Sequence, residues 1–223
     1  MRRLLFPPAL LLASACAALL GGCGSDSQTT TTTTASVCTR VPQPELRGSL
    51  TRRKPTAVLS SALTWTATVE TNCGSFVITL DVADSPKTTG SFATLARAGF
   101  YDDLPFHRIA RDFVIQGGDP TGGGAGGPGY TITEAPPRRT RYTRGVVAMA
   151  KTATDPDGAS GSQFFIVTGE DANLPPQYAL LGEVTSGMDV VERINNRPLE
   201  SSDPQGSPPV DPVVIESVTI AHD

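Results

Sequence analysis

The sequence predicts a mainly β fold, a barrel or a sandwich, with two helices set against it. Three observations predict it. Short runs in which β-branched or aromatic residues alternate with polar ones recur along the chain, each bounded by Gly, Pro, Asn or Asp. Only two stretches carry a helical pattern instead. And 223 residues leave room for one domain of about 150 residues with appendages, large enough to bury a core.

The first 22 residues read as a targeting segment: Arg2 and Arg3 give a basic start, and Leu4 to Leu20 is apolar but broken by Pro7-Pro8. That run is short for a membrane span of about 20 residues. Leu20-Gly21-Gly22-Cys23 resembles the end of a bacterial lipoprotein signal, which would leave Cys23 as a lipidated first residue and the protein exported and tethered to a membrane. Cys16 is the weaker candidate, because less apolar chain precedes it. Removing residues 1–22 takes the net charge from −4 to −6. This mild acidity argues against nucleic acid as a partner. Residues 23–60 read as a disordered tether, Thr-rich at first (Thr29 to Thr34 is all threonine) and Pro-rich after Val41. Beyond the lipid-bearing cysteine the mature chain has only Cys38 and Cys73. In an oxidising compartment such a remaining pair is usually a disulfide.

The domain then occupies residues 61–223. Thr64–Glu70 and Ser75–Asp81 form a predicted hairpin around Thr71 to Gly74. Ser85-Pro86 offers a cap and first turn for a helix running to Gly99, weakened by Gly90 within it. Asp112 to Gln116 reads as a strand with Phe113 and Ile115 on one face and Val114 and Gln116 on the other. Further strands are expected near Gly145–Lys151, Gln163–Val167 and Leu180–Val184, a second helix over Met188–Asn195, a loop over Pro198–Pro212 and a closing strand over Val213–Ala221.

The chemistry concentrates in Phe100 to Asp119, where one cation, Arg108, lies among Phe106, Ile109, Phe113, Val114 and Ile115, and a carboxamide, Gln116, follows. An arginine beside an apolar, amide-tipped pocket could hold a peptide carbonyl without nucleophile, metal or cofactor. Competing motifs fail. Gly122 to Gly127 fits G-x-G-x-x-G, but Pro128-Gly129 follows where a nucleotide loop needs a helix. Gly158 to Ser162 lacks the last glycine of a nucleophile elbow. Two histidines, His107 and His222, with a bridged cysteine pair leave no zinc set. His107 reads as structural.

The segments Phe106-His107-Arg108 and Phe113 to Asp119 (FVIQGGD), with Gly145–Ala150 (GVVAMA), Gly161–Ile166 (GSQFFI) and Tyr178–Val184 (YALLGEV), resemble the signatures of the cyclophilin-type peptidyl-prolyl isomerases over roughly Thr64–Ala221. The resemblance implies a closed eight-stranded antiparallel β-barrel capped by two α-helices, whose packed interior leaves the binding site on the outer wall. It implies Arg108, Gln116 and Phe113 as catalytic residues, with no cofactor. Prolines of substrate polypeptides would sit against Phe113, Val114, Phe165 and Leu174, with Tyr178 at the edge. Ala150 and the main chain of Lys151 would pair with the residue before proline, and Gln163 would line the adjoining pocket. A monomer is expected. A binding domain with little turnover is the alternative. Ala110-Arg111-Asp112 departs from the family pattern and predicts a turn that is looser or differently charged. Gly90 and Ser91 stand where the family favours a larger residue and asparagine. Tyr178 stands where many eukaryotic members have histidine. Asn173 replaces their cyclosporin-contacting tryptophan, which predicts weak inhibition by that drug.

Overall fold

A computed structural model describes residues 37–48 and 50–223. The predicted signal segment, Cys23 and the threonine run lie outside the described residues. The strands are β1 Trp65–Thr71, β2 Gly74–Leu80, β3 Leu104–Pro105, β4 Arg108–Ala110, β5 Val114–Gly117, β6 Ile132–Thr133, β7 Val146–Met149, β8 Ala159–Ser160, β9 Phe164–Val167, β10 Leu180–Ser186 and β11 Val214–His222; the helices are α1 Pro86–Arg97 and α2 Met188–Asn195. Nine strands form one antiparallel sheet in the order β3-β11-β1-β2-β10-β7-β9-β5-β4, and β6 pairs separately with β8. The sheet is strongly curled. Its two end strands, β3 and β4, are halves of one run, Leu104–Ala110, interrupted only by Phe106 and His107. Counting that run once gives eight members. Its two halves meet the rest of the sheet through different neighbours, β11 and β5.

Alternation along the strands sorts the side chains. Ile109, Ile115, Ile166 and Val147 face one another across β4, β5, β9 and β7, and all are fully buried in the interior cluster. Phe92 of α1 packs into that interior, 4.8 Å from Tyr101 and 6.0 Å from Phe164 between ring centroids, the second pair edge to face. The first turn of α1 is not capped as the sequence suggests, because the Ser85 side chain is buried and makes no hydrogen bond. Instead Glu134, far off in sequence, accepts the backbone N–H groups of Lys87 (3.2 Å) and Thr88 (2.8 Å). A carboxylate there satisfies two orphan donors and meets the positive end of the helix dipole. Helix α2 has the predicted bounds and buries Val190, Val191 and Ile194.

The described residues between 37 and 60 hold no strand or helix. Where the sequence predicts a disordered tether, however, the described part is fastened to the domain. Cys38 and Cys73 form the expected disulfide. Thr39 donates its N–H to the Asn72 carbonyl (2.7 Å), and Leu59 enters the core. Composition misleads here because a segment too polar to fold alone can still dock on a folded partner surface.

Candidate active site

Cross-strand pairing assembles the candidate residues in one row on the outer face. Arg108 pairs with Gln116, Gln116 with Phe165, Phe165 with Ala148, and Ala148 with Leu180. Directly opposed residues of an antiparallel ladder share a face, so five neighbouring strands present these side chains together. A second apolar cluster, separate from the interior one, grows from this row. Ala110, Val114, Tyr142, Ala148, Phe165 and Val167 are buried in it, with Phe113, Leu174 and Tyr178 packed on top and only partly covered.

Phe113 corrects the strand reading. It packs with Val114 and Phe165 in the outer cluster, whereas Ile115 points into the interior. Phe113 precedes β5 rather than belonging to it, so strand alternation does not govern it. Its N–H donates to the Ala110 carbonyl (3.1 Å), and Asp112 stands at φ 54°. This turn is tight, not loose. Arg111 clamps it to the end of α2, donating from Nη1 to the Asn195 carbonyl (3.1 Å) and from Nη2 to the Arg197 carbonyl (2.7 Å), where helix carbonyls lack partners.

Arg108 is held on two sides. Its Nε donates to the Gln205 carbonyl (2.5 Å) and its Nη1 to Gln116 Oε1 (3.0 Å). The guanidinium carbon lies 6.0 Å from the centre of the Phe113 ring. Among the described residues Nη2 has no hydrogen-bond partner. Burial lowers the pKa of this guanidinium, with Tyr178 and Asp203 acting the other way. An arginine begins so far above neutrality that it remains a cation.

Gln116 passes the order onward. Its Nε2 donates to Gln163 Oε1 (2.9 Å), and Gln163 Nε2 donates to the carbonyls of Gly124 (3.0 Å) and Gly126 (2.9 Å). The glycine-rich loop is therefore a rest for Gln163, and Asp119 shapes it. That carboxylate accepts from the N–H and hydroxyl of Thr121 (2.7 and 2.8 Å) and from the N–H of Gly124 (2.5 Å). Burial raises its pKa, but the hydrogen bonds from Thr121, Gly126 and Gly124 outweigh burial and hold it below the usual value. A cavity of about 400 Å³ lies along this loop, lined by Gln116, Gly124 to Thr131, Ala150 to Thr152, Asp155 and Gly161 to Gln163.

Of the remaining candidates, Ala150 and Lys151 line the same cavity. The Ala150 N–H is committed to the Gln163 carbonyl (2.9 Å). Lys151 Nζ donates to the carbonyls of Thr152 and Asp155 (3.2 and 3.1 Å) and lies 5.6 Å from the Tyr178 ring. Asn173 is exposed at φ 52°, a backbone conformation that asparagine tolerates and tryptophan does not favour. Tyr142 was not singled out in the sequence. Its hydroxyl donates to the Tyr178 carbonyl (2.6 Å) and accepts the Tyr178 N–H (2.9 Å), fixing the groove's edge. Burial first, despite these bonds, pushes its pKa up to about 12. A lone tyrosine in a polar loop gives no pattern that would have flagged it. His107 is buried, with neither ring nitrogen hydrogen-bonded within the protein, and burial lowers its pKa.

The family described as cyclophilin type peptidyl-prolyl cis-trans isomerase/CLD matches residues 66–220. Peptidyl-prolyl cis-trans isomerase A of Mycobacterium tuberculosis is 37% identical over 180 residues, covering 73% of this chain and 95% of that protein. A peptidyl-prolyl cis-trans isomerase of Helicobacter pylori is 38% identical over 131 residues, 57% of this chain and 78% of the relative. Among solved structures, a cyclophilin type peptidyl-prolyl cis-trans isomerase of Cryptosporidium parvum superposes with a TM-score of 0.63 at 31% identity, over 72% of this chain and 99% of the other. The same protein was also crystallised in the presence of the dipeptide Ala-Pro. By sequence and by fold, the chain belongs to the cyclophilin-type peptidyl-prolyl cis-trans isomerases.

Proposed function

We propose that this domain accelerates rotation about X–Pro bonds of exported polypeptides, with Arg108 stabilising the twisted prolyl amide. An X–Pro amide resists rotation by roughly 18–20 kcal/mol because the nitrogen lone pair is shared with the carbonyl. Reaching about 10³ turnovers per second from tens of seconds requires about 7 kcal/mol. In the twisted state the nitrogen turns pyramidal and recovers its lone pair, so a donor aimed at it binds that state better than the planar one. The unused Nη2 of Arg108, on a guanidinium already fixed by Gln205 and Gln116, is the observation that carries this reading. One charged hydrogen bond contributes about 1.5–3 kcal/mol. The rest comes from a preorganised site, in which Phe113, Val114, Phe165, Leu174 and Tyr178 hold the ring while Gln116, Gln163, Ala150 and Lys151 hold the chain before it.

A protease-coupled assay on an Ala-Pro peptide tests this. Arg108→Ala should lose at least about a hundredfold in kcat/KM, or about 2.7 kcal/mol. A wild-type rate equal to that of the variant would leave a binding domain in place of an enzyme. The basic start, apolar run and Leu20 to Cys23 ending further support an extracytoplasmic protein anchored through lipid on Cys23. Mass spectrometry of the native N-terminus should find Cys23 first and carrying acyl chains, and an unmodified residue there rejects the anchor.

A further inference from the structure

The segment from Cys38 to Leu59 takes no part in the chemistry above, yet it is fastened along its length. At its start lies the disulfide to Cys73. There Asn72 Nδ2 donates to the Thr39 carbonyl (2.7 Å) and the Thr39 N–H donates to the Asn72 carbonyl (2.7 Å). Further on, the Leu46 side chain lies over Gly122. The Arg52 N–H donates to the Pro128 carbonyl (2.7 Å), and Lys54 Nζ donates to the Thr131 carbonyl (2.8 Å). Leu59 ends the run in the core.

The domain carries a seat shaped for this strap. A Cβ on Gly90, inside α1, would stand 2.5 Å from the Ala57 carbonyl oxygen and 3.1 Å from Val58 Cα; one on Gly129 would stand 2.9 Å from Thr51 Cα. Glycine within a helix is a destabilising choice on its own. The strap's main chain supplies the reason for it.

Leu50 packs on the interior cluster, but the hydrogen bonds of the strap's middle, from Arg52 and Lys54, all go to one loop, Gly122 to Thr131, over which Leu46 also lies. That loop lines the 400 Å³ cavity and supplies the Gly124 and Gly126 carbonyls on which Gln163 rests. From Gln163 the hydrogen bonds run to Gln116 and Arg108. A loop this rich in glycine has many conformations to lose on ordering. Asp119 restrains it from within, and the strap restrains it from outside.

We propose that the strap is a positioning element of the substrate groove, with Arg52 and Lys54 fixing the loop that orients Gln163 and, through it, Gln116. This rests on the reading of Arg108 and Gln116 as the working pair. It predicts that loosening the strap weakens peptide binding while leaving the fold intact, since positioning and stability are separable readouts.

The test uses the full chain with two ways of lifting the strap. Arg52→Pro with Lys54→Ala removes both donors to the loop, and Gly90→Ala pushes the strap from beneath. Tryptic cleavage at Arg47 and Arg53 reports strap release, a fluorescent Ala-Pro peptide reports Kd, and thermal unfolding reports the fold. We expect faster cleavage in both variants and a rise in Kd of at least about threefold, well short of the hundredfold that a 1 Å misplacement at the reacting atoms can cause. The melting temperature should stay near wild type, and Lys54→Arg should bind as wild type does. Faster cleavage with unchanged Kd would overturn the proposal, and so would unchanged cleavage in both variants. Because Kd is read independently of turnover, an inactive wild type would count against the isomerase reading alone.

Discussion

Phe164 and Phe165 are neighbours on β9, both buried, at 0% and 4% exposure, and they do different work. Phe164 points inward and meets Phe92, Tyr101 and Phe106 edge to face at about 6 Å. Phe165 points outward, with Tyr178 at 5.5 Å and Tyr142 at 6.3 Å, beside residues that remain partly uncovered. One strand thus supplies an anchor for the core and a floor for the groove, because successive side chains leave a strand on opposite sides. The inner ring has no open side, whereas the outer one adjoins partners that are only half covered. Packing around the apolar surface is complete on the inner side of this strand and incomplete on the outer side.

The contrast can be broken at either ring. Phe164→Ala should cost about 3–5 kcal/mol of stability, because the closed interior adds a cavity term to the lost transfer energy. Chemical denaturation measures this, and KM of the folded fraction should be unchanged. Phe165→Ala should cost less, about 1.5–3 kcal/mol, the transfer term alone, because the groove admits water to the space vacated. Its larger effect should fall on KM in the Ala-Pro assay. Equal stability losses with no change in KM for either variant would erase the division between core and groove.

How far the sequence reveals this division depends on what local pattern can encode. Val114 and Gln116 share the outer face, as alternation along the run predicts, because both lie within β5. Phe113 is put on the wrong face because Asp112, at φ 54°, turns the chain just before it, and a non-glycine in that conformation leaves no clear mark in the sequence. The strands β3, β4, β6 and β8 are two or three residues long and carry no period to detect. Glu134 at the start of α1, Tyr142 behind Tyr178 and the carbonyls under Gln163 are contacts across more than 30 residues. No window of sequence contains both partners. The docked strap is hidden for the same reason, its seat being glycines dispersed through the domain.

A milder probe acts where the two regions meet. His107 stands between Phe106, which packs inside, and Arg108, which serves the groove. Burial lowers its pKa; Asp119 favours the cation, and Arg108 opposes it. The folded protein therefore keeps His107 neutral at a pH where the unfolded chain, with a pKa near 6.5, takes up a proton. Where the unfolded state binds more protons, stability falls as pH falls. The loss should begin near pH 6.5 and continue down through the lowered folded value, whereas Asp119, held below 3.8, defends the loop until far stronger acid. Urea midpoints between pH 7.5 and 5 should fall for the wild type and fall less for His107→Gln. Equal slopes would mean that the imidazole is charged in the fold, next to the guanidinium. The groove cation would then carry a second positive charge at its shoulder, and the separation of a neutral interior from a charged wall would fail at its seam.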